Sequence, residues 1–236
     1  MKFLMMISVL TLFLFSCSDK AKIEELTKKS EQLNIELTAA KSEYKQLKND
    51  LKRLQGDFDR LKFLSKKLSG IKARLITDLG DIEVKFFPDK APIHCFNFIT
   101  RAECGFYDGT QFHRVMPGFM IQGGDPNSKD DNPNDDGQGG PIVNIPHEFN
   151  DIKHRPGILS TARVGNAAVG AGSQFFIMHG DAPHLDNQYT VFGEVTKGMN
   201  VVNEIATART YGKQRGAALA NHPVKPIRIR RIELFR

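Results

Sequence analysis

Apolar residues recur in three different patterns along the 236 residues, and each pattern predicts a different kind of structure. The first is an almost unbroken apolar run from Phe3 to Phe15. The second, over residues 20–69, repeats in alternating steps of three and four residues, as expected of an amphipathic helix. From residue 71 onward the pattern changes to short alternating runs between turn-forming residues, which is typical of β-strands. The chain therefore divides into a leader, a helical segment and a globular domain.

A seven-residue repeat runs through residues 20–69 and predicts a long coiled-coil helix. Two interleaved sets of positions carry the repeat, and twelve of these fourteen residues are apolar: Ile23, Ser30, Leu37, Tyr44, Leu51, Phe58 and Ser65, and Leu26, Leu33, Ala40, Leu47, Leu54, Leu61 and Leu68. A parallel, in-register pair would bring opposite charges together: Glu36 with Lys41, Glu43 with Lys48, and Asp57 with Lys62. We therefore expect a parallel homo-oligomer through residues 20–69. The alternative is a single helix that folds back on its own domain or pairs with another protein.

The N-terminal apolar run is typical of a secretory signal, because thirteen residues are too few to span a bilayer, which needs about 20. The sequence Leu14-Phe15-Ser16-Cys17 that ends it resembles a bacterial lipobox. That resemblance implies that residues 1–16 are removed and that Cys17 is lipidated. Ser18 after the cysteine favours the outer membrane. We expect a lipid-anchored, extracytoplasmic protein of the bacterial cell envelope; an ordinary secretory signal and an uncleaved anchor are the alternatives.

The globular domain, residues 71–236, contains many short strand patterns and few helical ones, which predicts a closed barrel or a sandwich. A helix is expected from Pro92 to Glu103, with Phe96, Phe98 and Ile99 on its buried side, and another over Met199–Ala206. The strands are expected at Ile71–Thr77, Ile82–Phe86, Gly157–Ala162, Gln174–Met178, Tyr189–Val195 and Ile227–Leu234. Ser69-Gly70 ends the preceding helix, with glycine at the position of a C-terminal cap.

Composition and charge narrow the classes of function only slightly. The net charge of +6 is explained either by lysines scattered over a solvated surface or by attraction to an anionic membrane. No basic block is interleaved with aromatic residues, so nucleic acid is not an expected partner. The three cysteines lack the spacing of a zinc site, and residues 132–143 lack the acidic first and last positions of a calcium loop. No metal or cofactor is therefore expected.

One stretch, from Phe112 to Asp125, places Arg114 within a short apolar run that glycines bound. A buried arginine is costly unless something uses its charge. This stretch, preceded by residues 105–110 and followed by residues 156–160, 172–177, 185–186 and 191–193, resembles the cyclophilin family of peptidyl-prolyl cis-trans isomerases. The resemblance covers residues 71–236 and implies a mainly β fold, a closed eight-stranded antiparallel barrel capped by two helices. It also implies an enzyme that accelerates rotation about X-Pro bonds.

The resemblance implies a role for each matching position. Arg114 matches the catalytic arginine of the family. The implied substrate-binding residues are Phe119, Met120, Phe176 and Leu185 around the proline ring, Gln122 as a polar contact, and Ala162 and Arg163 on the strand that holds the extended substrate. His184 and Tyr189 stand where other members often have tryptophan and histidine, which implies retained activity with weak cyclosporin binding.

The connection between Arg114 and Gln122 raises a geometric problem. Met116-Pro117-Gly118-Phe119 fits a type II turn. A tight two-residue hairpin would then point Arg114 and Gln122 to opposite faces of the sheet, because side chains alternate along a strand. Both can line one groove only if the connection is looser.

These observations predict three parts: a signal peptide at 1–16, a lipidated N-terminus with a coiled-coil stalk at 17–70, and an isomerase domain at 71–236. The expected function is isomerisation of proline-containing polypeptides during the folding of secreted or envelope proteins. Two alternatives remain. One is a prolyl-peptide binding module or chaperone with incidental turnover, and the other is a surface adhesion or scaffold protein in which the stalk matters most.

Overall fold

The computed structural model describes residues 2–141, 143–163, 169–217 and 219–236, with side chains from residue 20 onward except residue 21. The chain divides into two compact units, residues 1–58 and residues 59–236. One helix, α1, runs from Lys2 to Leu68. Within the described residues, none of the helices has an apolar stretch long enough to cross a bilayer.

The apolar stripe of α1 lies in solvent along most of its length. From Ile23 to Leu61, every leucine, isoleucine, tyrosine and phenylalanine at the repeat positions is exposed, by between 37% for Leu61 and 70% for Tyr44. Leu68 differs, because it is only 6% exposed and belongs to the core of the globular unit. The exposed stripe therefore ends before Leu68. Gly70 follows with φ of 78°, as a glycine cap allows.

Eight antiparallel strands form one sheet in the order β3-β4-β6-β5-β7-β2-β1-β8. Their bounds are β1 Lys72–Thr77, β2 Gly80–Phe86, β3 Arg114–Met116, β4 Met120–Gly123, β5 Ile158–Arg163, β6 Ala171–Met178, β7 Val191–Lys197 and β8 Ile229–Phe235. Two helices accompany the sheet, α2 Pro92–Glu103 and α3 Met199–Ala206. The mainly β fold and both helices are as the sequence predicts.

The sheet curls but does not close, so the prediction of a closed barrel is wrong. Its edges are β3 and β8, and in the described part of the chain these two strands share no ladder. A bridge at Gln111–Arg228 and single backbone hydrogen bonds cross the gap instead. Pro223 and Pro226 precede β8 and have no N–H to donate, which prevents a longer ladder there.

Aromatic residues fill the larger core, between the sheet and the two helices. Phe98 of α2 lies at its centre, with ring centroids 5.0 Å from Tyr107, 5.3 Å from Phe175 and 5.6 Å from Phe192. The expectation that Phe96 is buried was wrong, because its side chain is 46% exposed. Phe96 follows the buried Cys95 by one residue, a rotation of about 100° that takes it off the buried face.

A second, smaller cluster lies on the opposite side of the sheet and supports the groove described below. Its buried members are Met120, Ile158, Phe176, Met178, Ala182, Leu185 and Val191. Phe119, Ala162 and Tyr189 pack against it while remaining partly open to solvent. Six of the nine predicted substrate-binding residues therefore belong to one packed unit.

Candidate active site

The hairpin of β3 and β4 brings Arg114 and Gln122 side by side. Three residues connect the strands, so Met116 pairs with Met120, and Arg114 pairs directly with Gln122. Gly118 adopts φ of 75°, and the Phe119 N–H donates to the Met116 carbonyl at 3.0 Å. The extra loop residue restores the same-face register that a two-residue turn would have removed. Arg114 Nη1 then donates to Gln122 Oε1 at 3.3 Å.

The Arg114 side chain is exposed and stands at the mouth of a groove. The idea of a buried charge, suggested by the apolar sequence around it, is therefore wrong. Val115 and Phe112 take up the buried positions, while Arg114 points to the other side of the strand. Partial loss of hydration still lowers the pKa of Arg114 below its usual value. A guanidinium remains charged in proteins, so the groove keeps a fixed cation.

Apolar side chains from four separate elements converge beside Arg114. Phe119 comes from the hairpin loop, Met120 from β4, Phe176 from β6 and Leu185 from a short 3-10 helix at Pro183–Leu185. Together with the polar residues around them they line a cavity of about 160 Å³: Arg114, Phe119, Met120, Gln122, Ala162, Arg163, Phe176, Leu185 and Tyr189. Nine of the ten residues predicted for the groove are therefore brought together.

The tenth residue, His184, stands just outside this lining. Its ring stacks on Phe119, with centroids 5.9 Å apart and planes 23° apart. Tyr189, which does line the groove, lies under the guanidinium of Arg163, at 4.5 Å from its ring centroid. Arg163 Nε also donates to the Gln188 carbonyl at 3.1 Å. These two stacks fix one wall of the groove without any tryptophan.

Gln174 belongs to the same site, although the sequence reasoning did not single it out. Its Oε1 accepts from Gln122 Nε2 at 2.9 Å, and its Nε2 donates to the carbonyls of Gly137 and Gly139 at 3.0 and 2.7 Å. Gln174 precedes Phe176 by two residues on β6, so both point to the same face. That spacing was the signal that could have identified it.

A larger hollow of about 510 Å³ adjoins the groove and shares Gln122, Ala162 and Arg163 with it. Glycines and amides form most of its remaining lining, among them Gly137, Gly139 and Gln174. In the described part of the chain, no group of three or more His, Cys, Asp or Glu side chains could hold a metal ion. The groove therefore presents the guanidiniums of Arg114 and Arg163, an apolar pocket and a set of neutral amides.

Comparisons with known proteins identify the globular domain. The sequence model of the family described as "Cyclophilin type peptidyl-prolyl cis-trans isomerase/CLD" matches residues 72–234. The "Peptidyl-prolyl cis-trans isomerase" of Synechococcus elongatus is 46% identical over 123 residues, which cover 52% of this chain and 79% of that protein. The "Peptidyl-prolyl cis-trans isomerase-like 2" of Rhizopus delemar is 38% identical over 180 residues, or 74% of this chain and 31% of that protein.

Solved structures give the same result. A crystal structure of a Cryptosporidium parvum cyclophilin-type isomerase, determined in the presence of the dipeptide Ala-Pro, superimposes with a TM-score of 0.61. It is 31% identical to this chain and covers 70% of it, while 99% of that structure is matched. The chain nevertheless spans less than a third of several curated relatives, including a mouse protein with WD repeats of which it covers 21%. Residues before 72 lie outside the family match.

Proposed function

The chain belongs to the cyclophilin-type peptidyl-prolyl cis-trans isomerase family, and we propose that it accelerates rotation about X-Pro bonds in polypeptides. The observation that carries this proposal is a single groove in which Arg114 stands beside an apolar pocket of Phe119, Met120, Phe176 and Leu185. The pocket has the size and polarity for a proline ring, and the arginine is close enough to act on the adjoining peptide bond.

Catalysis of this rotation requires no covalent chemistry. The barrier of about 18–20 kcal/mol arises because the nitrogen lone pair is delocalised into the carbonyl. When the X-Pro bond is twisted, this delocalisation is broken and the nitrogen becomes a hydrogen-bond acceptor. The Arg114 guanidinium donates to that nitrogen and so stabilises the twisted state more than either planar state. No general base is needed, because arginine remains charged at every working pH.

The rest of the site holds the proline ring and the substrate chain. Phe176 and Met120 are almost fully buried and form a rigid base for the ring, while Gln122 supplies a polar contact. A hydrogen bond to a charged group contributes about 1.5–3 kcal/mol, so Arg114 alone accounts for roughly 10- to 100-fold in rate. The apolar pocket binds the proline ring and so brings the X-Pro bond to Arg114.

An isomerisation assay on a proline peptide tests this proposal. Arg114→Ala is expected to lower kcat/KM by about 10- to 100-fold, and Arg114→Lys to recover little, because lysine lacks the planar fork. Arg230→Ala is the matched control, since Arg230 is an exposed arginine of β8 that pairs with Asp78, outside the groove. Peptide binding by the wild-type chain without any acceleration would support the alternative of a binding module or chaperone and would contradict an enzyme.

We also propose that the protein acts outside the cytoplasm, anchored by lipid on Cys17 after removal of residues 1–16. The support is the apolar run followed by Leu14-Phe15-Ser16-Cys17, and Ser18 favours the outer membrane. A single acyl chain gives marginal binding, so stable anchoring needs more than one. Cys17→Ala is expected to release the protein from membranes, and unchanged membrane partitioning of this variant would contradict the anchor.

The proposed clients are secreted and envelope proteins, because an extracytoplasmic isomerase meets them as they fold.

The proposed partner of α1 is a second copy of this chain, arranged parallel over residues 20–69. Exposed apolar side chains from Ile23 to Leu61 and the complementary charges beside them support this arrangement. A parallel orientation also suits lipid anchors at the same end of each chain. An adhesion or scaffold role would need the stalk alone, with the groove dispensable.

A further inference from the structure

His154 lies behind the groove and contacts a residue that forms its wall. Its side chain is fully buried, and its ring stacks on Phe176, with 6.0 Å between centroids and 23° between planes. Phe176 in turn meets Tyr189 edge to face at 5.8 Å. His154 itself does not line the groove. It therefore touches the pocket from behind and leaves the substrate side to Phe176.

A second contact connects His154 to the segment that carries Leu185. Asp186 Oδ1 accepts the backbone N–H of His154 at 2.9 Å and lies 3.1 Å from its Nδ1. Leu185 ends the short 3-10 helix Pro183–Leu185, and Asp186 follows that helix. At its other end, the N–H of Ala182 donates to the His154 carbonyl at 2.9 Å. Leu185 directly precedes Asp186, so these bonds fix the position of the Leu185 wall relative to His154.

The third contact, from Nε2, reaches β5. Ser160 Oγ lies 3.1 Å from this nitrogen and 2.9 Å from the Thr190 carbonyl. Ser160 pairs with Phe176 across the strands, and Thr190 follows Tyr189. A carboxylate only accepts, so Nδ1 donates to Asp186, while Ser160 Oγ donates to the Thr190 carbonyl. Burial lowers the pKa of His154 against the opposing effect of Asp186.

We propose that His154 and Asp186 are positioning residues of the proline pocket, the ring holding Phe176 and the carboxylate holding Leu185. The inference rests on the proposed function, since it assigns these residues to a pocket for proline. A pocket works only when its wall residues are held by packing and hydrogen bonds from behind. The His154–Asp186 pair does this for two walls that lie on different elements.

The expected kinetic effect differs from that of Arg114. The two walls grip the proline ring equally in the planar and the twisted states of the peptide bond. Their loosening therefore raises the peptide Kd and KM while kcat stays within about threefold. Arg114 acts on the twisted state, so its loss lowers kcat. A positioning role and a catalytic role are thus separable in the same assay.

The chain contains a matched control for the structural cost of breaking such a pair. His94, at the start of α2, has its side chain 1% exposed, its Nδ1 2.7 Å from Glu148 Oε2 and its backbone N–H 2.9 Å from the same oxygen. This arrangement repeats the His154–Asp186 geometry, but the His94 ring contacts Phe192, which does not line the groove. Loss of stability alone affects both pairs alike, whereas loss of pocket geometry affects only His154.

The experiment measures the Kd of an Ala-Pro-containing peptide, the catalysed exchange rate at saturation and the Tm for several full-length variants. His154→Leu is expected to raise the Kd and KM about tenfold or more, while His94→Leu changes them less than twofold at a similar loss of Tm. His154→Phe keeps a ring against Phe176 and loses the bond to Asp186, so about a threefold rise is expected. Asp186→Asn keeps an acceptor oxygen and should stay near wild type.

Equal changes in Kd for His154→Leu and His94→Leu would overturn the inference, as would a fall in kcat with Kd unchanged. If His154→Leu does not fold, His154→Phe and His94→Phe decide the question by the same comparison of Kd. An inactive wild-type chain would contradict the proposed function and not this inference, because peptide Kd is measured without turnover. The two failures therefore have different signatures.

Discussion

The guanidinium of Arg114 can hold Gln122 and act on a substrate at the same time, because arginine carries five N–H donors in a planar fork. One of these donors is used by Gln122 Oε1. The amide of Gln122 is held in turn by Gln174, whose own amide is held by two loop carbonyls. At the residue scale, the site is a chain of neutral amides that ends on one cation.

This chain of amides predicts an effect for Gln174. Gln174→Leu keeps the size of the side chain and removes its hydrogen bonds, leaving the Gln122 amide without its acceptor. If the transition state loses about 1 kcal/mol of stabilisation, kcat/KM falls roughly fivefold. Gln188→Leu, which changes an exposed glutamine outside the groove lining, should have less than a twofold effect. An unchanged kcat/KM for Gln174→Leu would show that Gln122 needs no such support.

The rim of the groove predicts weak inhibition by cyclosporin. His184 stacks on Phe119 and Tyr189 lies under Arg163, and no tryptophan occurs anywhere in the chain. An indole would offer both a larger apolar face and an N–H donor at this rim. We therefore expect inhibition only at micromolar or higher concentrations in the isomerisation assay. Inhibition at nanomolar concentrations would contradict this expectation.

At the element scale, both helices and six of the eight strands of the globular domain were predicted, because each of these elements has one buried face, while β3 and β4 were not among the expected strands. Phe96 and the hairpin loop were not. Burial of Phe96 depends on which side of α2 meets the sheet, and neighbouring apolar residues do not reveal this. The three-residue loop at Pro117–Phe119 and its two-residue alternative use the same turn-forming residues, yet they give opposite faces to Gln122. Closure of the sheet likewise depended on contacts between residues more than 100 positions apart.

The candidate site was predictable where family motifs cover it and not elsewhere. Arg114 and the pocket residues were found because their positions match a known pattern. His154 and Asp186 carry no such signal, since a histidine and an aspartate 32 residues apart are unremarkable in a sequence. Only the fold places the His154 ring behind Phe176. The position of Leu68 was also not predictable. Its place in the repeat predicts a residue of the coiled-coil seam, but Leu68 packs in the globular core.

The exposed stripe of α1 predicts self-association. Replacing Leu47 and Leu54, which are 65% and 61% exposed, with lysine removes two seam positions without touching the globular core. Sedimentation of residues 18–236 should show an oligomer for the wild-type chain and a monomer for the double variant. Lysine at Ser42 and Asn49, on the outer face of the repeat, serves as the control. A monomeric wild-type chain would contradict the parallel coiled coil.

A buried ion pair predicts a pH-dependent stability. His222 Nε2 lies 2.8 Å from Asp136 Oδ2, and their side chains are 6% and 3% exposed. Burial lowers the pKa of His222, but the bonds to Asp136 and to the Pro223 carbonyl outweigh this, so the pKa is raised overall. A raised folded-state pKa stabilises the protein below the unfolded pKa of about 6.5, and this contribution is lost as pH rises through the folded value.

His222→Gln should therefore lower the free energy of unfolding by about 1–3 kcal/mol near pH 5.5 and by less near pH 9. Urea unfolding at both pH values measures the difference. Asp136→Asn should show the same trend, because it removes the charge that raises the pKa of His222. A loss of stability that is larger at pH 9 than at pH 5.5 would reverse the assigned sign.

At the scale of the whole molecule, the chain joins a family domain to a segment outside the family match. Residues 72–234 match the isomerase family, while residues 1–58 form a separate compact unit. The groove explains what reaction is catalysed, and the N-terminal segment is proposed to determine where. We propose that Cys17 and the repeat of residues 20–69 determine which substrates reach the groove, while the chemistry of Arg114 stays the same.

The most direct test of the account is X-Pro isomerisation activity in the membrane fraction of cells that produce the full chain. Accelerated isomerisation is expected in membranes from cells with the wild-type protein. With Arg114→Ala the activity should fall by about 10- to 100-fold at equal protein level. With Cys17→Ala the activity should move to the soluble fraction. Wild-type protein that is present in the membrane fraction but gives no acceleration, or the same acceleration as Arg114→Ala, would contradict it.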